Sequence, residues 1–375
     1  MHAIKGRNRG SCRRPTRGLR IMAGIVLPLL TGLDPTRGQS FSADDYDRVG
    51  KIDVHIHIRT ENPGFVELAK KDRFRFLNIA TFNADPEQMK LRHRGAFAQL
   101  EAHPDRVAVA SSFPMDGWDD PDWSRKTIRY LDQTFARGAV AVKVWKNLGM
   151  ESRDARGKVI MVDDPKLDPI FAHLAAKGIR LIGHLGEPKE CWMPLEKMVL
   201  HRSYFSSHPE YHMYLHPEMP SYEDQIRARD HVLEKHPDLV FCAAHLASLE
   251  WSVDEMARFL DRFPKAVMET AARMAHFQYQ SNRDRVKVRN FLIKYQDRVL
   301  YGTDIGVNPG TDPQKAIESA RRRWRSDWNY LATDEVINVR RFDEPVQGLA
   351  LPKPVVEKIF RLNAERFLPG SWKKK

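Results

Sequence analysis

Cysteine is scarce. The 375 residues hold three, Cys12, Cys191 and Cys242, an odd number with no C-x-x-C among them. That argues against a disulfide framework and against a cysteine-built zinc site. Cys242, in the apolar run L-V-F-C-A-A, reads as a small core residue. Long apolar runs are also missing: Ile21–Leu33 is too short to span a bilayer, so no stable membrane insertion is expected. Nor is there a basic stripe interleaved with aromatics. The net charge of +12 is concentrated in the first twenty residues, with seven Lys/Arg and no acid, and in the tail Lys373–Lys375. The stretch between is nearly neutral, and nucleic acid is not an expected partner. Internal repeats and coiled-coil heptads are absent as well.

What remains is the composition of a soluble globular chain, 42% apolar and 29% charged, long enough for one large domain. Residues 1–47 divide from the rest: a basic start, the apolar run Ile21–Leu33 and a polar linker, Thr36–Asp47, resemble a targeting segment. Arg13-Arg14 hints at a twin-arginine signal, but the residues after the pair fit that pattern poorly and no clean A-x-A cleavage site appears. The expectation is an exported, periplasmic protein whose body spans 48–375. The alternative is a misassigned start, with Met22 as initiator of a cytoplasmic protein.

In the body, strand-like and helix-like segments alternate. Lys51–Ile58 (K-I-D-V-H-I-H-I) has the period of two expected of a strand, and puts His55 and His57 on one face. Further strands are expected at Phe74–Thr81, Arg106–Phe113, Ala139–Trp145, Arg180–Leu185, Leu239–Leu246, Ala266–Thr270 and Val299–Thr303. Helices are expected between them: Pro86 to about His103, Asp122–Arg137, Pro165–Lys177, Tyr222–His236, Ser252–Phe263 and Asn282–Tyr295, with a terminal helix at Pro352–Phe367. Eight such units over about 250 residues make a (β/α)₈ TIM barrel, an α/β fold. An open doubly wound sheet would want a Gly-rich turn after the first strand, and H-I-R-T is not one. Glu187–Ser221 breaks the rhythm and reads as an insertion after strand five, a lid or a substrate-facing segment.

His55 and His57 lie towards the end of strand one, His184 and His245 end strands five and six, and Asp304 follows strand eight. In a barrel these strand ends converge on one mouth. Three or four imidazoles with a carboxylate suit a divalent ion: zinc first, manganese or iron also compatible. Any one of these residues alone would be ordinary, His184 or His245 as a hydrogen-bonded core residue, Asp304 as a helix cap. His201, His208, His212 and His216 crowd the insertion, where surface or substrate contact is expected rather than metal binding. Asp53 is expected to organise its strand, and Trp145, Trp192 and Tyr211 are candidates for an apolar pocket wall.

The ordered motifs D-V-H-I-H, G-H-L-G, A-H-L, Y-G-T-D and N-A-E-R-F-L, from about Lys51 to Pro369, resemble the amidohydrolase superfamily. They are most similar to the amidohydrolase-related branch that includes aminocarboxymuconate semialdehyde decarboxylase. The resemblance implies His55, His57, His184 and Asp304 as metal ligands, with His245 either binding a second ion or polarising the substrate. Lys143 shares a strand face with Ala141 and Trp145 and should point inward. In binuclear amidohydrolases a strand-four lysine, carboxylated by carbon dioxide, bridges two ions. In the decarboxylase-like branch the site is usually mononuclear, and Lys143 would be an ammonium facing a substrate carboxylate. Arg273, in M-E-T-A-A-R after strand seven, could clamp such a carboxylate or pair with Glu269.

The expected function is metal-dependent hydrolysis of a small amide, ester, lactone or lactam, with Asp304 as proton carrier and His245 assisting. The alternative is non-oxidative decarboxylation of a small unsaturated or aromatic acid at the same site. A third reading is a non-catalytic exported binding protein that keeps metal for structure. One or two ions, a small-molecule substrate and a homo-oligomer are all compatible with the sequence.

Overall fold

A computed structural model describes residues 40–81, 86–339 and 341–372. Arg13-Arg14, the apolar run Ile21–Leu33 and Lys373–Lys375 fall outside them. Nine parallel strands form one sheet: β1 Lys51–Ile58, β2 Phe74–Ile79, β3 Val107–Ser111, β4 Ala139–Val144, β5 Arg180–Gly183, β6 Phe241–Ala243, β7 Val267–Glu269, β8 Val299–Leu300 and β9 Ile305–Val307. Their order is β8-β7-β6-β5-β4-β3-β2-β1-β9, so the two edges of the sheet are successive pieces of one chain segment. β8 pairs with β7, and β9 with β1 through Ile56–Ile305 and Ile58–Val307. Across the gap Val54 N–H donates to Tyr301 C=O at 3.0 Å, and Asp304 N–H to His55 C=O at 2.7 Å. The expected eighth strand, Val299–Thr303, thus forms only at Val299–Leu300, and β9, beyond Asp304, joins it in closing a TIM barrel. The break between β8 and β9 is made by Asp304, at φ 66, a left-handed backbone that aspartate tolerates better than most residues.

Strand β1 does not keep one alternation throughout. The residues Asp53 to Ile56 lie opposite Phe76 to Asn78, so β1 carries one extra residue, a bulge. Below it Ile52 and Val54 pack into the barrel interior with Leu77, Ala110, Ala141 and Ile182. Above it Ile56 and Ile58 belong to the outer layer under the helices, which turns His55 and His57 inward. Asp53 holds the bulge, accepting from His55 N–H at 3.0 Å and from Thr303 N–H at 3.1 Å. Burial pushes its carboxyl up to about 7, partly offset by those bonds. Phe367, Leu368 and Trp372 plug the far end of the barrel, where the Trp372 indole donates to Phe76 C=O at 2.9 Å.

The outer layer follows the expected helices with differences, among them a short helix at Gly64–Ala69 between β1 and β2 that was not expected. The helix expected from Asn282 begins at Met274, and a twenty-residue helix, Pro313–Ala332, follows β9 where the sequence pattern predicts none. Its stripe of Ile317, Ala320, Trp324, Trp328 and Leu331 packs on the barrel, with Trp324 stacked on Phe74 at 4.1 Å between centroids. The terminal helix runs as Lys353–Glu357 and Asn363–Phe367 joined by a π-helical turn. Ahead of β1, a 3₁₀ turn at Ala43–Asp47 buries Tyr46 against Trp328.

Residues 187–221 form short 3₁₀ turns and one helix, Arg202–Ser207, around a small core of Cys191, Met198, Phe205 and Met213. The segment ends in a capping box: Ser221 Oγ accepts from Asp224 N–H at 3.1 Å, while Ser221 N–H donates to the Asp224 carboxylate at 2.9 Å. Ser221→Ala is expected to cost about 1 kcal/mol of stability, read as a lower denaturation midpoint with unchanged slope. An unchanged midpoint would mean the cap does not hold the helix Tyr222–Lys235. Among the described residues no helix is long and apolar enough to cross a membrane.

Candidate metal and catalytic site

The inward residues at the mouth converge on a cavity of about 610 Å³ lined by His55, His57, Lys143, His184, His245 and Asp304, among others. Ligand atoms of His55, His245 and Asp304 lie within 4.8 Å of one another. His57 Nε2 is 3.1 Å from the Asp304 carboxylate, and His55 Nε2 is 3.6 Å from it. The His184 ring packs edge-on against His245, 4.1 Å between centroids. All six residues singled out in the sequence for this centre therefore share one cavity.

The far side of each ring explains its orientation. His57 Nδ1 faces Ile79 C=O at 2.8 Å, and His245 Nδ1 faces Ala271 C=O at 2.9 Å. A carbonyl can only accept, so both Nδ1 atoms carry hydrogen and donate, which turns both Nε2 atoms into the cavity. His55 Nδ1 donates to Glu269 Oε1 at 2.8 Å. The same carboxylate accepts from His245 N–H at 2.9 Å and from Ala271 N–H. Imidazoles held through Nδ1 with Nε2 free are the form in which histidine binds metal. His184 Nε2 is buried without a hydrogen-bond partner among the described residues. This donor set fits a divalent cation.

Asp304 combines two properties. Burial alone would raise its carboxyl pKa, but the His57 hydrogen bond and the surrounding imidazoles hold it well below the carboxylate range. Its side chain nevertheless keeps 32% of its surface open to the cavity. Lys143 points inward from β4, as expected. It is 2% exposed, its Nζ meets no partner among the described residues, and burial pulls its ammonium down to about 8.

Backbone strain concentrates beside these residues. His245, Leu246, Ala247 and Ser248 are four successive non-glycine residues in the left-handed region, with φ from 54 to 63. Each such residue costs about 1–2 kcal/mol. Surrounding bonds hold the turn: Ser248 Oγ donates to Leu185 C=O at 3.1 Å, the Tyr222 hydroxyl donates to Ser248 C=O, and Arg229 donates to Ala247 C=O. Strain of this kind persists where geometry at a site demands it.

The structure revises the surroundings. Arg273 does not pair with Glu269; its guanidinium lies 3.6 Å from Glu187, a buried carboxylate at the start of the lid that also takes the Lys146 ammonium. Glu269 belongs to His55 and His245 instead. Trp145 and Tyr211 line the cavity, but Trp192 does not, its indole donating to Pro220 C=O at 3.2 Å. Of the insertion histidines, His201 lines the cavity, while His212 is buried with Nε2 against Met193 C=O at 2.8 Å. His208 and His216 bond backbone carbonyls within the lid. Arg59, Arg92, Lys146, Glu187 and Arg341 line the cavity without having been singled out. Their signal was weak, since they sit in loops and helices whose path over the mouth no local pattern encodes.

Among solved structures the chain is similar to 2,6-dihydroxybenzoate decarboxylase from Rhizobium, with 15% identity, 85% of this chain and 98% of that chain covered, and a TM-score of 0.50. It is also similar to dihydroorotase from Campylobacter jejuni (11% identity, 87% and 85% covered, TM-score 0.45). A third is 4-oxalomesaconate hydratase from Rhodopseudomonas palustris (14% identity, 85% and 95% covered, TM-score 0.47). At these identities the likeness is one of fold. No curated protein matches the chain by sequence. The model of the family described as Amidohydrolase matches residues 52–370, from β1 through the plug of the barrel. The chain belongs to the amidohydrolase family and is an enzyme.

Proposed function

We propose that this enzyme hydrolyses a small amide, ester, lactone or lactam. In this reading His55, His57, His184 and Asp304 hold a divalent cation, zinc before manganese or iron, and His245 joins a second ion or polarises the substrate carbonyl. A divalent cation held there would acidify water towards a pKa of about 7 and draw electron density from a carbonyl. Asp304 takes the proton of the attacking water and returns it to the leaving group. Arg273 fixes a substrate oxygen. Tyr204 and Tyr211, in the lid, shield the reacting bond from bulk water. The observation that carries this reading is Asp304: a carboxylate 3.1 Å from His57 Nε2, beside the other imidazoles, and still open to the cavity.

A second reading keeps the same centre for decarboxylation of a small unsaturated or aromatic acid. It is favoured by Arg273, which is buried with Nε unpartnered among the described residues and suited to a carboxylate. His245 would then deliver the proton to carbon. In that case Lys143 stays an ammonium; a carboxylated Lys143 bridging two ions belongs to the hydrolytic reading.

The expected result is one or two ions per chain by elemental analysis, with activity lost on chelation and restored by zinc or manganese. A panel of lactones, esters and amides run in ¹⁸O-labelled water should give a labelled carboxylate. Release of bicarbonate from aromatic acids, with no labelled hydrolysis product, would replace the first reading by the second. A protein that takes up neither zinc nor manganese would overturn both readings.

A further inference from the structure

The cavity holds more charge of one sign than its centre needs. Arg59, Arg92, Lys143, Lys146, Arg273 and Arg341 line it, against Glu187 and Asp304. Glu187 is already committed to Lys146, with Arg273 at 3.6 Å, and Asp304 to the histidines. Unsatisfied donors cluster in the same place. Among the described residues, Arg59 Nε, Arg92 Nε and Arg273 Nε are all buried without a partner. Native proteins rarely leave such groups unpaired, and cations least of all, unless a ligand completes them.

These donors fall into two groups across the barrel mouth. Arg59 follows β1, and Arg92 stands on the helix after β2, with Nη1 3.3 Å from Thr81 Oγ1. Arg273 follows β7. Arg341 reaches the lid, donating to Leu200 C=O at 3.4 Å, beside His201, whose ring stacks on His276 at 5.0 Å. In the ring of strands β2 lies opposite β6, midway through the β5–β7 arc that carries the second group. Within each group like charges press on one another. Burial, then Arg92, lowers the pKa of Arg59; burial, then Arg273, lowers that of Arg341. Like charges held this close cost free energy on their own and recover it when an oxyanion sits between them.

We infer that Arg59 and Arg92 form an anion subsite opposite the one at Arg273 and Arg341, so that the substrate is a two-ended dianion with a carboxylate at each end. The bond that reacts lies between the ends, over the histidine–aspartate centre. This rests on the reading that the cavity is the active site, but not on which reaction occurs there. Planar guanidinium forks match carboxylates in pairs, and binding both ends fixes the register of the reacting bond.

Calorimetric titration of the metal-loaded enzyme with three inert probes tests it: benzoate, with one carboxylate; isophthalate, with two at separate ends; and phenyl phosphate, with its charge on one group. Isophthalate is expected to bind at least about tenfold tighter than either of the others, since it gains a second set of charge-assisted bonds. Arg59→Gln and Arg92→Gln should each bring isophthalate to within about twofold of benzoate while leaving benzoate affinity unchanged. Arg94→Gln removes an equal charge from an exposed position two residues along the same helix and should change nothing. Isophthalate binding no tighter than benzoate would overturn the inference. So would phenyl phosphate matching isophthalate, or Arg94→Gln weakening isophthalate as much as Arg92→Gln. Metal content, measured separately, decides the reading of the centre without touching this result.

Discussion

Asp304→Asn is expected to lower kcat/KM by about 10²- to 10⁴-fold, the range for loss of a positioned acid–base group. Asparagine has nearly the same shape and can keep the left-handed backbone at φ 66, so β8, β9 and the barrel closure should survive. What disappears is the anion. An amide cannot take a proton at neutral pH, and it offers a cation only a weak oxygen ligand. Because the side chain is partly open to the cavity, no void forms and no buried partner is stranded beyond His57 Nε2. Thermal stability without added metal should therefore change little, whereas metal content per chain should fall. Steady-state kinetics with elemental analysis separates the two roles. Full metal content with lost activity assigns Asp304 to proton transfer; loss of both assigns it to binding as well. Retained activity would remove Asp304 from the mechanism in either reading.

The residues that carry chemistry were easier to read than the devices that aim them. His55, His57, His184, His245 and Asp304 stood out because strand ends in a barrel share one mouth, and their spacing along the chain placed each at an end. The bulge at Asp53–Ile56 was hidden. K-I-D-V-H-I-H-I alternates without a break, and only pairing with β2 shows that Ile52 and Ile56 face opposite sides. Strand eight misled for a related reason: the break before β9 depends on Asp304 adopting a left-handed backbone, which the letters Y-G-T-D permit but do not dictate. The helix Pro313–Ala332 had a readable stripe. It also has Asp312, whose side chain accepts from Gln314 N–H at 2.8 Å, but the run R-R-R-W-R masks its apolar face. The lid was legible as an interruption and illegible in detail. Its histidines separate into buried and exposed only through contacts between short 3₁₀ turns, and those have no period to read. Lys146, Arg59 and Arg92 left no mark in sequence, because a lysine or arginine in a loop is ordinarily a solvated one.

Glu269 was visible, at the end of β7, but its partner was misjudged, and the correction gives the second large expected effect. A carboxylate 1% exposed accepts from three donors: His55 Nδ1, the His245 backbone N–H and the Ala271 backbone N–H. It therefore fixes two rings of the centre at once, one through its side chain and one through the backbone at the start of the strained His245–Ser248 turn. Glu269→Gln keeps size and shape but replaces one acceptor oxygen by an NH₂ group. Whichever way the amide turns, a donor then meets a donor, and a buried N–H is left unsatisfied at a cost of about 1–3 kcal/mol. The substitution also removes the acceptor that orients the His55 ring. Such partners of metal-binding histidines typically change metal affinity by about 10- to 100-fold. Competition with a chelator should show zinc affinity falling within that range, with kcat restored in large part at saturating zinc. Asp304→Asn should not be rescued in that way if the carboxylate carries the proton. Unaltered zinc affinity in Glu269→Gln, with the barrel folded, would mean that His55 is held by the strand alone.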